Sequence, residues 1–164
     1  MDETRVQYIN PEGYRCFACG TANPIGLKLK FYQSGNAIGT KITLGPNYVG
    51  WENMSHGGII STILDETMSW AILYFKRLFF VTRKMEVKYI KPIMVGTSLV
   101  AKGVVVEGST MPKIRAKAEL RDSDGHLLAR STGEFITLAK DEVTSIPEGF
   151  KEEMFAILEK LPPI

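Results

Sequence analysis

The sequence predicts an α+β fold in which an antiparallel sheet packs against one long buried helix. Two observations support this fold class. Between Ser55 and Phe75, apolar residues recur at helical spacing around most of the helix circumference. On both sides of this segment, apolar and polar residues alternate over short runs that end at turn sequences, as in antiparallel strands. One such helix against one such sheet is an α+β architecture.

The chain before the helix is predicted to form an arm and two strands. Residues 1–26 are rich in Gly and Asn-Pro turn sequences, and we expect them to form an extended arm. Alternation in residues 27–31 predicts the first strand, and residues 37–44 are predicted to form the second. A turn at residues 34–36 separates them, and the Gly-Pro-Asn sequence of residues 45–47 ends the second strand.

The central helix is predicted to be buried on nearly all sides, because two sets of apolar residues share its circumference. One set is Ile60, Leu64, Met68, Ala71 and Phe75, and the other is Ile59, Ile63 and Trp70.

Four strands are predicted after the helix, in hairpin succession. In the first, Met85, Val87 and Tyr89 lie on one face and charged residues on the other, and the strand ends at Lys91-Pro92. Residues 97–106, 114–121 and 127–138 are the other three strands, with a turn at residues 122–125 joining the last two.

A terminal amphipathic helix is predicted from an apolar stripe that follows a capping-box sequence, Ser145-Ile146-Pro147-Glu148. We therefore divide the chain into an arm (residues 1–26), a sheet-and-helix domain (residues 27–140) and a C-terminal helix (residues 141–164).

The composition of the chain argues against several classes of protein function. The chain has 164 residues, 45% of them apolar and 23% charged, as in a globular domain with a substantial core. A net charge of +2 is too small to indicate a nucleic-acid partner. No apolar run is long enough for a membrane span, and the acidic N-terminus is unlike a signal peptide, so we expect a cytoplasmic protein.

Two cysteines, Cys16 and Cys19, have C-x-x-C spacing. Zinc would need two further ligands, and a redox motif would need a strand before it and a helix after it. A packing role is therefore favoured over a metal or redox role, and no metal site is predicted.

The start of the central helix carries the first candidate reactive group. Gly57 and Gly58 would leave backbone N–H groups approachable at the positive end of the helix dipole, where they can polarise a carbonyl. The same glycines are also compatible with a simple loop-to-helix junction.

Asp65 is the second candidate, because a carboxylate is rarely buried in an apolar helix without a partner. Ser61, Asp65 and Ser69 form one polar stripe, with Glu66 beside it on a different side of the helix. The stripe could also be a solvated edge. Since Asp65 lies about 12 Å along the axis from Gly57, both can serve one site only if they come from different subunits.

At these residues the sequence resembles a known family. His56-Gly57-Gly58 followed by Leu64-Asp65 resembles the H-G-G-x(5)-L-D signature of hot-dog-fold thioesterases of the phenylacetic-acid-degradation (PaaI-like) type. Residues 16–27 resemble the arm seen in many members, and residues 87–92 resemble the strand after the helix. The resemblance implies a sheet wrapped around the central helix, with two subunits pairing into one extended sheet and the active site between them.

The resemblance also implies roles for individual residues. The Gly57 N–H would polarise the thioester carbonyl, and Asp65 of the partner would act as nucleophile or as general base toward water. His56 would orient the substrate or its loop, and Ser69 would assist the water or the carboxylate. Substrate contacts are expected from Gly58, Ser61 and Glu66. Members often have Asn or Gln where this chain has Gly50, and we expect Asn53 or Glu52 to substitute.

The predicted function is therefore hydrolysis of a small or medium acyl-CoA, aromatic acyl groups included, by a homodimer or homotetramer. Coenzyme A is part of the substrate, and no separate cofactor is expected. The alternative is a non-catalytic acyl-CoA-binding sensor or regulator, which Gly50 favours and Asp65 disfavours.

The sequence does not distinguish coenzyme A from an acyl carrier protein. Eight basic residues alternate on the strands, either as a solvated outer face or with a few contacting the CoA phosphates: Arg83, Lys84, Lys88, Lys91, Lys102, Lys113, Arg115 and Lys117.

Overall fold

A computed structural model describes residues 7–138 and 147–164. The strands are β1 (Phe31–Ser34), β2 (Ala37–Thr43), β3 (Val49–Trp51), β4 (Met54–Ser55), β5 (Phe80–Tyr89), β6 (Ser98–Val105), β7 (Lys113–Asp122) and β8 (Leu127–Thr137). The helices are α1 (Gly57–Lys76) and α2 (Glu148–Lys160), and a 3-10 turn spans Pro46–Tyr48.

Six strands form one antiparallel sheet in the order β1-β2-β6-β7-β8-β5, and β3 and β4 form a separate small pair. Helix α1 packs on one face of the large sheet, which confirms the predicted α+β class. The predicted hairpin succession of four strands is wrong for β5. It pairs with β8 at the far edge, and β6 pairs instead with β2. Alternation of side chains determines which face is buried but not which strand lies alongside.

The predicted burial of α1 is confirmed, because residues of both apolar sets are enclosed, among them Ile63, Leu64, Met68 and Trp70. Alanines on the inner face of the sheet, such as Ala101 and Ala116, leave room for the helix. A Leu64→Ala substitution in this core would cost about 2–5 kcal/mol. The helix ends where Arg77 adopts a left-handed conformation, with its N–H donating to the Leu73 carbonyl at 3.2 Å.

The predicted strand at residues 27–31 is wrong except at its last residue. Leu27 and Leu29 are buried and alternate with exposed lysines, but Lys28 has a φ of 53°, which interrupts an extended chain. The N–H groups of Leu27 and Leu29 donate to Phe17 and Ala18 of the arm, both at 2.9 Å. The arm is folded into turns here, and not extended as predicted.

The two ends of the described chain pack on the same domain. The Ile9 N–H donates to the Phe31 carbonyl at 2.8 Å, and the Tyr74 hydroxyl donates to the Pro163 carbonyl at 3.0 Å. Helix α2 begins at Glu148 with Pro147 as its N-cap residue, so Pro147 does not lie in the first turn as predicted. Ser145 and Ile146 of the expected capping box lie outside the described residues. Neither described helix combines the length and hydropathy that crossing a membrane requires.

Candidate functional site

Helix α1 begins with a histidine cap. His56 is extended, with φ −63° and ψ 132°, and its Nδ1 accepts the Gly58 N–H at 2.9 Å. A ring nitrogen that accepts a hydrogen bond has no proton, so a neutral His56 has its proton on Nε2. Nε2 is therefore the nitrogen that can donate to a ligand.

The Gly57 N–H remains free. Within residues 7–138 and 147–164 it has no hydrogen-bond partner, because the cap uses the neighbouring Gly58 N–H. This free donor lies at the positive end of a helix of 20 residues. The position suits the oxygen of a polarised carbonyl.

Tyr89, the last residue of β5, connects the first turn of α1 to the sheet. Its hydroxyl donates to the Gly57 carbonyl at 2.9 Å and lies 2.6 Å from the Ser61 Oγ. Since the phenol proton is directed to Gly57, the Ser61 hydroxyl donates to the Tyr89 oxygen. Tyr89 therefore holds the first turn of α1 at two points, the Gly57 carbonyl and the Ser61 side chain.

A cavity of about 520 Å³ opens at this helix end. Its walls are largely apolar, and Lys91 is the one lysine among them. Trp51, which is 75% exposed, lies on its rim. The lining residues are Gly50, Trp51, Met54, Ser55, His56, Gly57, Ile60, Tyr89, Ile90, Lys91, Pro92 and Ile93.

Ser55 contributes an unusual polar group to the cavity wall. The residue is only 7% exposed, and its Oγ is buried without a hydrogen-bond partner in the described part of the chain. An unpaired buried hydroxyl costs about 1–3 kcal/mol.

Gly50 packs directly against His56. A Cβ at position 50 would lie 3.1 Å from the His56 Cα and 3.2 Å from its Cδ2, closer than side chains normally approach. The glycine therefore allows the imidazole to lie against the β3 backbone. A side chain here would require His56 to shift by a few tenths of an ångström.

Asp65 lies two turns further along α1 and is half-buried. The Thr82 hydroxyl of β5 donates to its Oδ1 at 3.1 Å. Burial raises the pKa of Asp65 above its usual value, and the hydrogen bond from Thr82 partly lowers it. A partly buried carboxyl group with a raised pKa is a stronger proton acceptor than an exposed one, as a general base requires.

A β-bulge explains how Thr82 reaches Asp65. Thr82 pairs with Phe135 and Lys84 with Glu134, so Arg83 is an extra residue in β5. Strict alternation would place Thr82 and Tyr89 on opposite faces, and the extra residue brings both to the α1 side.

The structure separates the predicted site residues into two groups. His56, Gly57, Gly58 and Ser61 surround the helix start, with the Gly58 N–H already engaged by His56. Asp65 lies about 12 Å along the axis from Gly57, which does not allow both to contact one carbonyl within a chain.

The other predicted residues lie outside the first group. Ser69 follows Asp65 on the same half-buried face of α1. Glu66 lies about 100° around the helix from Asp65 and accepts a hydrogen bond from Trp70 Nε1 at 3.1 Å. Asn53 is exposed, and its carbonyl accepts the Val95 N–H at 2.8 Å. Among the predicted phosphate contacts, Lys91 lines the cavity, whereas Lys84, Arg115 and Lys117 line a hollow on the outer face of the sheet.

Tyr89, Thr82 and Ser55 were not identified as candidates from the sequence. The available signal for Tyr89 is that it shares one face of its strand with Met85 and Val87. The sequence carries no signal for Thr82 or Ser55, because a β-bulge and an unpaired hydroxyl are visible only in the three-dimensional structure.

Sequence comparison identifies the domain. The family model of the thioesterase superfamily matches residues 52–129, which include His56, Asp65 and Tyr89. The matched segment belongs to the thioesterase superfamily. No curated protein matches the chain in sequence.

Solved structures confirm the expected hot-dog fold of this thioesterase-superfamily domain. One thioesterase superfamily protein is similar with a TM-score of 0.68 and 20% identity, over 74% of this chain and 60% of that chain. The PaaI protein of the E. coli phenylacetic acid degradation operon has a TM-score of 0.63 and 15% identity, over 69% of this chain and 81% of its own.

A hypothetical thioesterase from Streptococcus pneumoniae, solved with coenzyme A, is similar with a TM-score of 0.60 and 15% identity, over 66% of this chain and 84% of its own.

Proposed function

We propose that the protein hydrolyses acyl-CoA thioesters. The observation that carries this proposal is the Gly57 N–H at the start of α1, which has no partner among the described residues, in the wall of an open cavity whose lining contains no carboxylate. Membership of the thioesterase superfamily supports the reaction type. The coenzyme A bound to the similar S. pneumoniae protein supports the substrate class.

The Gly57 N–H would donate to the thioester carbonyl oxygen. In the tetrahedral intermediate this oxygen becomes an anion, which the helix dipole also stabilises. Loss of one such donor typically costs about 10²–10³ in rate. His56 would position the carbonyl through its Nε2–H, and Tyr89 would keep the first turn of α1 in place.

Asp65 would supply the base. Its carboxylate takes a proton from water as the water oxygen attacks the carbonyl carbon, and collapse of the intermediate breaks the C–S bond. The proton passes to the departing thiolate, and the products are a carboxylic acid and free coenzyme A. Direct attack by Asp65 would instead give an anhydride that water clears.

The separation of Gly57 and Asp65 requires a second subunit. We propose that the partner's helix runs antiparallel and presents its own Asp65 to the cavity. Exposed apolar side chains around the cavity, Val49, Trp51 and Met94 among them, support an assembly that covers them. A homodimer is the minimum, and a dimer of dimers is compatible with it.

The cavity supports a small or medium acyl group, aromatic ones included. Met54, Ile60 and Ile93 give it apolar walls, and the unpaired Ser55 hydroxyl favours an acyl group that carries a hydrogen-bonding substituent. Lys91 at the same cavity is placed to contact a phosphate of coenzyme A. Hydrolysis by these groups requires no further cofactor.

Release of free coenzyme A from a panel of aliphatic, aromatic and hydroxylated acyl-CoAs tests the proposal. We expect turnover by the wild type and a loss of at least about 100-fold in Asp65→Asn, which keeps the shape of the side chain. The thiols of Cys16 and Cys19 are subtracted with an enzyme-only control. Saturable binding of an acyl-CoA without release would overturn the catalytic proposal and support the sensor alternative.

Mixing of subunits tests the shared site. Gly57→Pro removes the N–H at a position where proline suits a helix, and Gly57→Ala keeps it, with a new Cβ 3.5 Å from the Tyr89 hydroxyl. Dissociated and reassociated mixtures of Gly57→Pro and Asp65→Asn should recover about one quarter of the wild-type rate, because each mixed dimer has one intact site. A mixture as inactive as its components would contradict the shared site.

A further inference from the structure

A second group of chemically reactive side chains lies beside α1 at Glu66, the residue that follows Asp65. Cys16, Cys19 and Glu66 have their sulfur and carboxylate atoms within 4.8 Å of one another. The two cysteines belong to the N-terminal arm, and Glu66 belongs to the central helix. Cys16 and Glu66 are 50 residues apart in sequence. The proposed hydrolysis uses none of the three.

The arm holds both sulfurs toward the helix by a tight turn. The Cys19 N–H donates to the Cys16 Sγ at 3.4 Å, and the Gly20 N–H donates to the Cys16 carbonyl at 2.9 Å. A Cβ on Gly20 would lie 2.2 Å from the Tyr14 carbonyl oxygen, so only glycine fits. N–H groups directed at a cysteine sulfur favour its thiolate form, which is the form that binds metals.

Glu66 meets the sulfurs from α1. Its Oε1 lies 3.7 Å from the Cys16 Sγ and accepts the Trp70 Nε1–H at 3.1 Å. The indole fixes the carboxylate orientation, as hydrogen bonds from neighbouring side chains do for metal-bound carboxylates. No lysine or arginine of the described residues forms an ion pair with Glu66.

We propose that Cys16, Cys19 and Glu66 bind one zinc ion, which fixes the N-terminal arm to the central helix. Two thiolates and a carboxylate are zinc ligands, and a solvent molecule would complete four-coordination. Glu66 supplies the third ligand that the C-x-x-C sequence lacked. The inference does not depend on the proposed hydrolysis.

The three ligand atoms lie close enough together for one ion. The two sulfurs and the Glu66 carboxylate oxygen are all within 4.8 Å of one another, a spacing that the ligands of a single tetrahedral zinc ion can adopt.

The test is metal content and cobalt spectroscopy of the full chain, freed of any affinity tag and kept reduced. We expect about one equivalent of zinc per chain, and a thiolate-to-cobalt charge-transfer band when Co²⁺ replaces it. Glu66→Gln should keep the band but weaken Co²⁺ binding at least about tenfold. Asp65→Asn, the neighbouring carboxylate, is the matched control and should bind Co²⁺ as the wild type does.

A thiol count keeps the test valid if a cysteine variant fails to fold. In the native wild-type protein, zinc should protect both cysteines from a thiol reagent, and a chelator should restore their reactivity. The proposal is overturned if Co²⁺ gives no thiolate band, or if Glu66→Gln binds Co²⁺ as tightly as the wild type. It is also overturned if the two thiols react with the reagent as readily with zinc present as after its removal by the chelator.

Discussion

The Tyr89 hydroxyl donates to the Gly57 carbonyl at 2.9 Å, so an edge strand fixes the residue whose own N–H has no partner among the described residues. Removing this hydroxyl should loosen the first turn of α1 without exposing the core. We expect Tyr89→Phe to lower kcat/KM about tenfold, since each neutral hydrogen bond contributes about 0.5–1.5 kcal/mol.

Steady-state kinetics on the best acyl-CoA measure this effect. Tyr74→Phe is the matched control, because it also removes a hydroxyl with two hydrogen bonds, but at the opposite end of α1. It should reduce stability and leave kcat/KM unchanged. If both variants lose the same activity, Tyr89 has no positioning role.

The pH dependence of hydrolysis should report the Asp65 carboxyl. Activity requires the carboxylate, so kcat/KM should rise with pH through the Asp65 pKa, which burial places above the usual value of 3.8. Thr82→Val removes the hydrogen bond that lowers this pKa and should move the midpoint to higher pH. Thr82→Ser keeps the hydroxyl and should leave it in place. A midpoint that is the same in all three proteins would assign the titration to another group.

Gly50 should be intolerant of any side chain. Gly50→Ala places a Cβ 3.1 Å from the His56 Cα, and we expect the displaced cap to reduce kcat/KM by about tenfold. Gly45→Ala is the control, because nothing lies within 4 Å of its Cβ. Full activity in Gly50→Ala would show that His56 need not keep this position.

Lys91 should affect substrate binding through the nucleotide part of coenzyme A. Lys91→Ala is expected to raise KM for an acyl-CoA by roughly 3–10-fold, with kcat unchanged. The matching acyl-pantetheine lacks the nucleotide phosphates and should show no difference. Lys88→Ala, on the same chain segment but outside the cavity, should resemble the wild type. An equal effect on both substrates would place the contact elsewhere.

Ser55→Ala should stabilise the protein. The substitution removes a buried hydroxyl without a partner in the described residues, and we expect about 1 kcal/mol of added stability in a denaturant titration. Hydrolysis of hydroxylated acyl groups should fall relative to unsubstituted ones. Lower stability would mean that the hydroxyl has a bound partner in solution.

The sequence predicted the parts of the fold that depend on side-chain periodicity. The helix was expected between Ser55 and Phe75 and spans Gly57–Lys76, because a nearly all-apolar helix has a clear period. The position of β5 beside β8 could not be predicted, since period-two alternation is the same for any neighbour. Lys28 interrupted the predicted first strand through a backbone angle that its side chain does not encode.

The candidate site was predictable where a motif marks it, at His56, Gly57 and Asp65. Residues that act through tertiary contacts were not. Glu66 is adjacent to Asp65 in sequence, yet it contacts the cysteines of the arm, and only the rotation of about 100° per residue in a real helix separates the two environments.

The extra residue at Arg83 shifts the phase of β5 by half a period. Before Arg83 the inward positions are Phe80 and Thr82, and after it they are Met85, Val87 and Tyr89. Because of this shift, the same strand contacts Asp65 through Thr82 and Gly57 through Tyr89. Deleting one residue would direct Thr82 away from Asp65 while leaving Tyr89 in place. The number of residues in β5 therefore matters for the candidate site as much as the identity of its side chains.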